Sequence, residues 1–255
     1  MLFDRQALIG KRYLITGGSS GIGRATAVAL AACGASLVVM GRDETRTCET
    51  VAMLGTDVPH TPVVVDFQDA DTTADAVKEA AVAVGGVDGV FHGAGLELLL
   101  PIKMTKRANL DKIFASSVFP AFGIARALSL KGVVREEGGA FVIMSSAAGL
   151  RGQSGMTAYS ASKAAVDGMM RSLAVELAPR GIRVNSIAAG AVETAMHGRL
   201  ASTLPPAAME AYEAKHLLGF GHADDVASAA VFLLSPAARW ITGTTMVVDG
   251  GFTVR

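Results

Sequence analysis

Eight residues, Thr16 to Gly23, reading Thr-Gly-Gly-Ser-Ser-Gly-Ile-Gly, constrain the fold more than any other stretch of the chain. The apolar run Tyr13-Leu14-Ile15 leads into them, and an alanine-rich segment, Arg24 to Cys33, follows. The order is strand, glycine turn, helix. Glycines at 17, 21 and 23 allow a tight turn and a close approach of backbone to a ligand. The helix beginning there presents free N–H groups and the positive end of its dipole, which suits a pyrophosphate. The same turn can also serve structure alone, because its spacing is Thr-Gly-x-x-x-Gly-x-Gly and not Gly-x-Gly-x-x-Gly. The rest of the chain must decide.

Downstream, short β-branched runs alternate with alanine-rich helical segments, the pattern of a parallel sheet with crossover helices. Strands are predicted at Ser36 to Met40, Val63 to Val65, Val87 to His92, Ala140 to Met144, Arg183 to Ile187 and Thr244 to Val248. Helices are predicted at Asp69 to Val84, Arg107 to Leu130, Ala158 to Leu177 and His222 to Leu234. The strands are apolar on both faces, as when helices cover both sides of a sheet. The reading is a three-layer α/β fold, Rossmann-type and doubly wound, with a seven-stranded parallel sheet in one domain spanning 1–255. In such sheets ligands bind beyond the carboxyl ends of the strands. The polar residues and glycines concentrate there: the glycine turn, Gly41-Arg42, Asp66-Phe67, His92 to Gly95, Ser145-Ser146 and Ala189 to Thr194.

Composition narrows the function classes. Twenty-three basic and 23 acidic side chains cancel, so nothing points to nucleic acid or an anionic membrane surface as partner. Cys33 and Cys48, the only cysteines, read as small apolar residues of a reduced intracellular protein. The first residues lack the apolar core of a signal peptide, and no apolar run is long enough to cross a bilayer. A soluble, cytoplasmic protein is expected. The histidines at 60, 92, 197, 216 and 222 form no metal-ligand spacing, so no metal is predicted, and His197 and His216 read as solvated.

Tyr159 and Lys163 stand four apart in a helical segment, which puts both on one face. An ordinary phenol titrates near pH ~10, and a neighbouring ammonium favours the phenolate and lowers that value. Ser146, at a strand end, could bring its hydroxyl to the same carbonyl oxygen as Tyr159. Taken singly, each has an ordinary structural use: a tyrosine packed on a lysine stem, a serine in a turn.

In combination the sequence resembles the short-chain dehydrogenase/reductase family in its single-domain form, over nearly the whole chain from about Ile9 to Phe252. The resemblance rests on Thr16-Gly17-x-x-x-Gly21-Ile22-Gly23, on Ser146 with Tyr159-x-x-x-Lys163, on Arg183-Val184-Asn185 ahead of Gly190 and Thr194, and on Val248-Asp249-Gly250-Gly251. It implies hydride transfer between a nicotinamide cofactor and a carbonyl or secondary alcohol. Tyr159 would be general acid or base, Ser146 would hold the substrate oxygen, and Lys163 would lower the Tyr159 pKa and bind the nicotinamide ribose. A bound oxidised nicotinamide would add to that lowering. The implied cofactor set is Gly17, Ser19, Ser20, Gly21, Ile22, Gly23, Arg42, Asp66, Phe67, Gly93, Ala94, Gly95, Tyr159, Lys163, Gly190, Val192 and Thr194, with Asp66 and Phe67 flanking the adenine. Three positions depart from the family pattern. Its Asn-Asn-Ala-Gly is His92-Gly93-Ala94-Gly95 here, which predicts loss of a side-chain brace between strands. Its helix asparagine, part of a proton relay, aligns with Ser117. A frequent proline before Gly190 is Ala189.

Where NAD-preferring relatives carry an acid, this chain has Gly41 followed by Arg42. A glycine and a guanidinium favour a 2′-phosphate over bare ribose hydroxyls. NADP(H) is the predicted cofactor, with NAD(H) possible should Asp43 take the ribose role. The family's variable substrate lid falls at about 191–220. Met196, Leu200, Leu204, Met209, Tyr212, Leu217, Leu218 and Phe220, with Leu96, Leu98, Leu99, Leu150, Gln153 and Met156, suggest apolar walls or lid core. The family pairs subunits through helices matching Arg107 to Leu130 and Ala158 to Leu177, so a homotetramer or homodimer is expected. The leading expectation is an NADP(H)-dependent carbonyl reductase or alcohol dehydrogenase of 3-oxoacyl-(acyl-carrier-protein) reductase type, or one acting on a small biosynthetic intermediate. The alternative, motivated by Gly93 and Ser117, is a catalytically weak nucleotide-binding sensor or structural subunit.

Overall fold

The computed structural model describes residues 4–201 and 205–255, with the backbone alone for 199–201. In chain order the elements are β1 (Arg12–Thr16), α1 (Gly21–Ala32), β2 (Ser36–Gly41), α2 (Glu44–Ala52), β3 (His60–Val64), α3 (Ala70–Ala83), β4 (Gly89–His92), α4 (Arg107–Leu128), β5 (Gly139–Ser146), α5 (Thr157–Leu177), β6 (Ile182–Ala189), β7 (Val192–Glu193), α6 (Ala195–Ala201), α7 (Pro206–Glu213), β8 (Gly221–His222), α8 (Ala223–Leu234) and β9 (Thr245–Val248). Seven strands form one parallel sheet in the order β3-β2-β1-β4-β5-β6-β9. The chain runs outward from β1 to β3, then returns to β4 and runs the other way. That reversal opens a crevice between the carboxyl ends of β1 and β4.

Strand pleating sends alternate residues to opposite faces. Tyr13 and Ile15 enter one core layer with Leu37, Val39, Leu30 of α1 and Val231 of α8. Leu14 enters the other with Val38, Met40, Val77 of α3, Ile124 of α4 and Val166 of α5. The helices over each face explain why the strands read as continuous apolar runs.

The structure moves several boundaries. Helix α2 was not expected from apolar periodicity, because its only buried residues are Thr47 and Thr50. Strand β3 starts earlier than predicted and lies at the sheet edge, where Pro62 is tolerated. Strand β4 begins at Gly89, and α4 ends at Leu128. Strands β5 and β6 are longer than expected and stay in register to their ends, with Ser146 opposite Ala189. His222 caps α8 from outside it, and β7 and β8 form a separate short ladder. Cys33 is buried as expected, but Cys48 is exposed on α2.

Two motifs turn out to hold the frame. The Arg183 guanidinium donates to the carbonyls of Leu233 at 2.7 Å and Ser235 at 3.1 Å, closing the end of α8. Asn185 donates to the Ile241 carbonyl at 2.9 Å and accepts from the Thr244 amide at 3.2 Å. The Asp249 carboxylate accepts from the amides of Gly251 and Thr253 at 2.9 and 2.8 Å, which turns the C-terminus so that Phe252 is buried. Among the described residues no helix is long and apolar enough to cross a membrane.

Candidate active site

A cleft of about 780 Å³ runs along the carboxyl ends of the strands, across the crevice between β1 and β4. Every residue of the expected cofactor set lines it, as do Ser146, Tyr159 and Lys163. Ser117 does not.

One end of the cleft is made of backbone. Gly17 has φ +69°, and a Cβ there would stand 2.6 Å from the Ala94 amide nitrogen. A Cβ on Gly23 would stand 2.2 Å from the Gly17 carbonyl oxygen. The turn therefore packs on the His92–Gly95 segment in a way only glycine allows. Ser20 precedes α1 and makes no side-chain cap, so the first amides of α1 are left to a ligand by that residue. This cradle fits the pyrophosphate of a dinucleotide.

Beyond the turn, β2 ends at Gly41, where a Cβ would stand 2.6 Å from the Thr47 hydroxyl. An acidic side chain has no room there. Arg42 is exposed at the cleft wall. Asp43, the alternative ribose ligand, caps α2 instead: its carboxylate accepts from the Arg46 amide at 3.0 Å and pairs with the Arg46 guanidinium at 2.7 Å. The amide and side-chain hydrogen bonds of Arg46 hold that carboxyl below its usual range. Arg46 also lines the cleft, and sequence reasoning missed it because α2 was not foreseen. Phe67 is buried in the core layer under α3 and α4, so it forms floor beneath the cleft, while Asp66 is exposed at the rim.

The other end is made of side chains. Ser146 ends β5; its hydroxyl accepts from the Ala148 amide at 3.2 Å and lies near enough to the Tyr159 phenol to favour its ionised form. Because its lone pair takes the amide, its own proton is available to the phenol or to a substrate oxygen. Lys163 is 4% exposed, and its Nζ donates to the Met144 carbonyl at 2.9 Å and lies 5.7 Å from the Tyr159 ring centre. Burial pulls this ammonium down to about 8, while the carboxylates of Asp167 and Glu97 hold it up. The expected lowering of the phenol is not found. Burial, and then the Glu97 charge, push Tyr159 well above its ordinary value; only the Ser146 hydroxyl opposes them. The physical reason is that Lys163 is turned to a backbone carbonyl, so desolvation outweighs its influence on the phenol.

Ser117 is 1% exposed and lies behind the wall, near enough that a Cβ on Gly95 would stand 3.3 Å from its hydroxyl. Ser116 faces the cleft in its place. Nor is the strand brace lost. His92 is 1% exposed; its Nδ1 accepts from the Thr16 hydroxyl at 2.7 Å, and its Nε2 donates to the Ser117 carbonyl at 3.1 Å. This neutral imidazole ties β1, β4 and α4 together directly behind the cleft. Burial takes its pKa down to about 4.

The side chains expected to form apolar walls divide. Leu96, Gln153, Met156, Met196 and Tyr212 line the cleft; Leu98, Leu99, Leu150, Met209, Leu217, Leu218 and Phe220 do not. Leu218 is 86% exposed. Leu204 and the side chain of Leu200 lie outside the described residues. His216 is buried, contrary to the solvated reading. Its Nε2 accepts from the Ala191 amide at 3.2 Å, its Nδ1 donates to the Tyr212 carbonyl at 3.2 Å, and its ring stacks on Phe252 at 4.7 Å. It fastens α7 to the cofactor side of the cleft. His197 meets Phe220 edge-on at 4.7 Å and also lines the cleft. Glu97 and Phe252 are wall residues that no local pattern announced. Among the described residues no three His, Cys, Asp or Glu side chains gather as a metal would require.

Comparisons with known proteins identify the family. A family model described as enoyl-(acyl carrier protein) reductase matches residues 17–253. A 3-oxoacyl-(acyl-carrier-protein) reductase of Thermotoga maritima is 32% identical over 97% of this chain and 99% of its own. A solved short-chain dehydrogenase/reductase of Mycobacterium ulcerans superposes with a TM-score of 0.88 at 32% identity, over 98% of this chain and 92% of that one. A protein of Agrobacterium tumefaciens crystallised with bound NADP superposes with a TM-score of 0.83 at 30% identity, over 98% and 99%.

Proposed function

The chain belongs to the short-chain dehydrogenase/reductase family of oxidoreductases acting on hydroxyl and carbonyl groups, and from that premise we propose that it is an NADP(H)-dependent carbonyl reductase with Tyr159 as proton donor. The observation that carries this reading is the meeting of Ser146, Tyr159 and Lys163 at one end of a cleft whose other end is a glycine cradle flanked by Arg42 and Arg46. The turn from Gly17 to Gly23 would hold the pyrophosphate, Arg42 and Arg46 the 2′-phosphate, and Asp66 with Phe67 the adenine. Gly93 to Gly95, Gly190, Val192 and Thr194 would bound the nicotinamide half, and Lys163 would bind its ribose. When bound, the reduced dinucleotide supplies the hydride.

A carbonyl taking up hydride needs a proton at its oxygen. Tyr159 keeps its proton at neutral pH, as an ordinary phenol does, and burial and Glu97 hold it further on that side, so it serves as the acid. Ser146 holds the same oxygen through its free proton. Residues 191–220 act as the lid, with His216 fastening it. In the reverse direction Tyr159 must first lose its proton, so alcohol oxidation by this chain rises with pH into the alkaline range while ketone reduction proceeds at neutrality. Assembly into a homo-oligomer is supported by apolar side chains in solvent: Phe119 and Phe122 on α4, and Trp240 at 92% exposure.

The test is loss of NADPH absorbance with a panel of ketones. Tyr159→Phe is expected to lower kcat by about 10²–10⁴-fold with NADPH binding retained. Tight NADPH binding without turnover of any ketone would instead favour a nucleotide-binding protein.

A further inference from the structure

Helix α5 carries three polar groups on one face, each a turn apart: Tyr159, Lys163 and Asp167. The first two belong to the proposed chemistry. Asp167 is 3% exposed and is not itself a wall residue of the cleft. Its carboxylate accepts from Ser145 Oγ at 2.8 Å, Ser186 Oγ at 2.7 Å and Thr245 Oγ1 at 3.3 Å. Those hydroxyls come from β5, β6 and β9, so one side chain joins α5 to three neighbouring strands.

Burying a carboxylate is expensive even when hydrogen-bonded, and a packed apolar side chain can join a helix to a sheet at lower cost. The partners are hydroxyls and not cations, so the negative charge is not consumed in an ion pair with them. The nearest use for it is one turn back, where side chains at this spacing lie about 5–6 Å apart. Lys163 is there, buried and ammonium-bearing, its Nζ on the Met144 carbonyl. Ser145, the residue bonded to Asp167, also reaches the Lys163 carbonyl at 3.4 Å and stands between Met144 and Ser146.

We propose that Asp167 is a positioning residue for the reaction proposed above, on which this inference rests: its buried carboxylate keeps Lys163 charged and pins the Met144–Ser146 strand end to α5. The other groups facing Lys163 are Tyr159 on the same helix, Glu97 from the segment after β4, and the neutral His92 at the end of β4. Glu97 acts in the same sense as Asp167, but Asp167 is the larger of the two influences opposing burial. Without it the ammonium would lose its proton at lower pH.

The experiment is ¹⁵N-lysine NMR of the full chain, free of substrate and cofactor, with Lys163→Arg to assign the signal. In Asp167→Asn the Lys163 titration midpoint is expected to fall by about one pH unit or more, a tenfold change in proton affinity. In turnover, the alkaline limb of kcat should move to lower pH by the same amount, with KM for NADPH changed less than about twofold, since the nucleotide cradle is untouched. A folded Asp167→Asn protein whose Lys163 midpoint matches the parent overturns the proposal, whatever its melting temperature. If Asp167→Asn does not fold, Asp167→Ser, which keeps one hydrogen-bonding oxygen and removes the charge, is read against the same two outcomes. Should the parent reduce no ketone, the reductase reading fails, yet the lysine titration still decides the role of Asp167.

Discussion

The two ends of the cleft are built from different materials. The dinucleotide end is mostly backbone: Gly17, Gly23 and Gly41 each stand where a Cβ would come within 2.6 Å of a neighbouring atom, and the first residues of α1 line the cleft without a side-chain cap from Ser20. The chemical end is made of side chains, with Ser146 beside Tyr159, Lys163 on the Met144 carbonyl, Asp167 on three hydroxyls and His92 between Thr16 and Ser117. Backbone sites of the first kind tolerate almost no substitution and titrate with nothing. Side-chain sites of the second kind tolerate replacements that preserve the bonds, but their properties move with pH.

The sharpest break of this contrast is Gly23→Ala. The new methyl would stand 2.2 Å from the Gly17 carbonyl oxygen, a backbone atom that can yield only by opening the turn. Overpacking of this kind costs about 1–3 kcal/mol, and the displaced turn also leaves its contact with Ala94. The expected result is loss of measurable NADPH binding with a melting temperature lower by several degrees. Calorimetric titration checks it; unchanged NADPH affinity would mean the turn has slack and the dinucleotide end is not backbone-limited.

The same contrast explains what the sequence disclosed. Glycine turns and strand ends are local in sequence, so the fold and a candidate phosphate turn could be read from the residues, while the grouping of Ser146, Tyr159 and Lys163 came from the family resemblance. What was hidden depends on tertiary neighbours. Helix α2, and with it Arg46, escaped because its buried face is threonine, held by Arg24 and by its own backbone. The fate of His92 and His216 could not be read, since imidazole is equally at home in water and in a core with two partners. The raised phenol of Tyr159 reflects burial and the charge of Glu97, a residue in a segment with no periodic pattern. Arg183, Asn185 and Asp249 were visible as motifs, yet only contacts show that they serve the end of α8, the loop before β9 and the C-terminus.

A second prediction separates the two ends by acid. His92 is buried neutral with its pKa lowered to about 4 from 6.5. Below pH 6.5 the unfolded chain takes up a proton that the folded chain refuses until about pH 4. Stability attributable to this site is therefore complete above pH 6.5 and drains away as pH falls to about 4, by about 3 kcal/mol in all. His92→Asn keeps groups able to bridge Thr16 and Ser117 but does not titrate. Denaturant unfolding at several pH values should show the variant losing about 3 kcal/mol less than the parent across that window. Parallel losses in both proteins would mean the imidazole is not the acid-sensitive brace.

The smallest effect is expected at the rim of the dinucleotide end, the one place where that end relies on side chains. Arg42 is exposed at the cleft wall, whereas Arg46 is shared with Asp43 at 2.7 Å. A guanidinium already paired to a carboxylate has less to give a 2′-phosphate, so the two arginines should not be equal. Arg42→Ala is expected to raise KM for NADPH about tenfold, equivalent to about 1.4 kcal/mol, and to leave KM for NADH unchanged. Arg46→Ala should do less, because its guanidinium is already engaged by the Asp43 carboxylate. Equal rises in both Michaelis constants for Arg42→Ala would assign that residue to holding the whole dinucleotide. A parent KM for NADH tenfold below that for NADPH would overturn the 2′-phosphate assignment itself and return Asp43 to the ribose role.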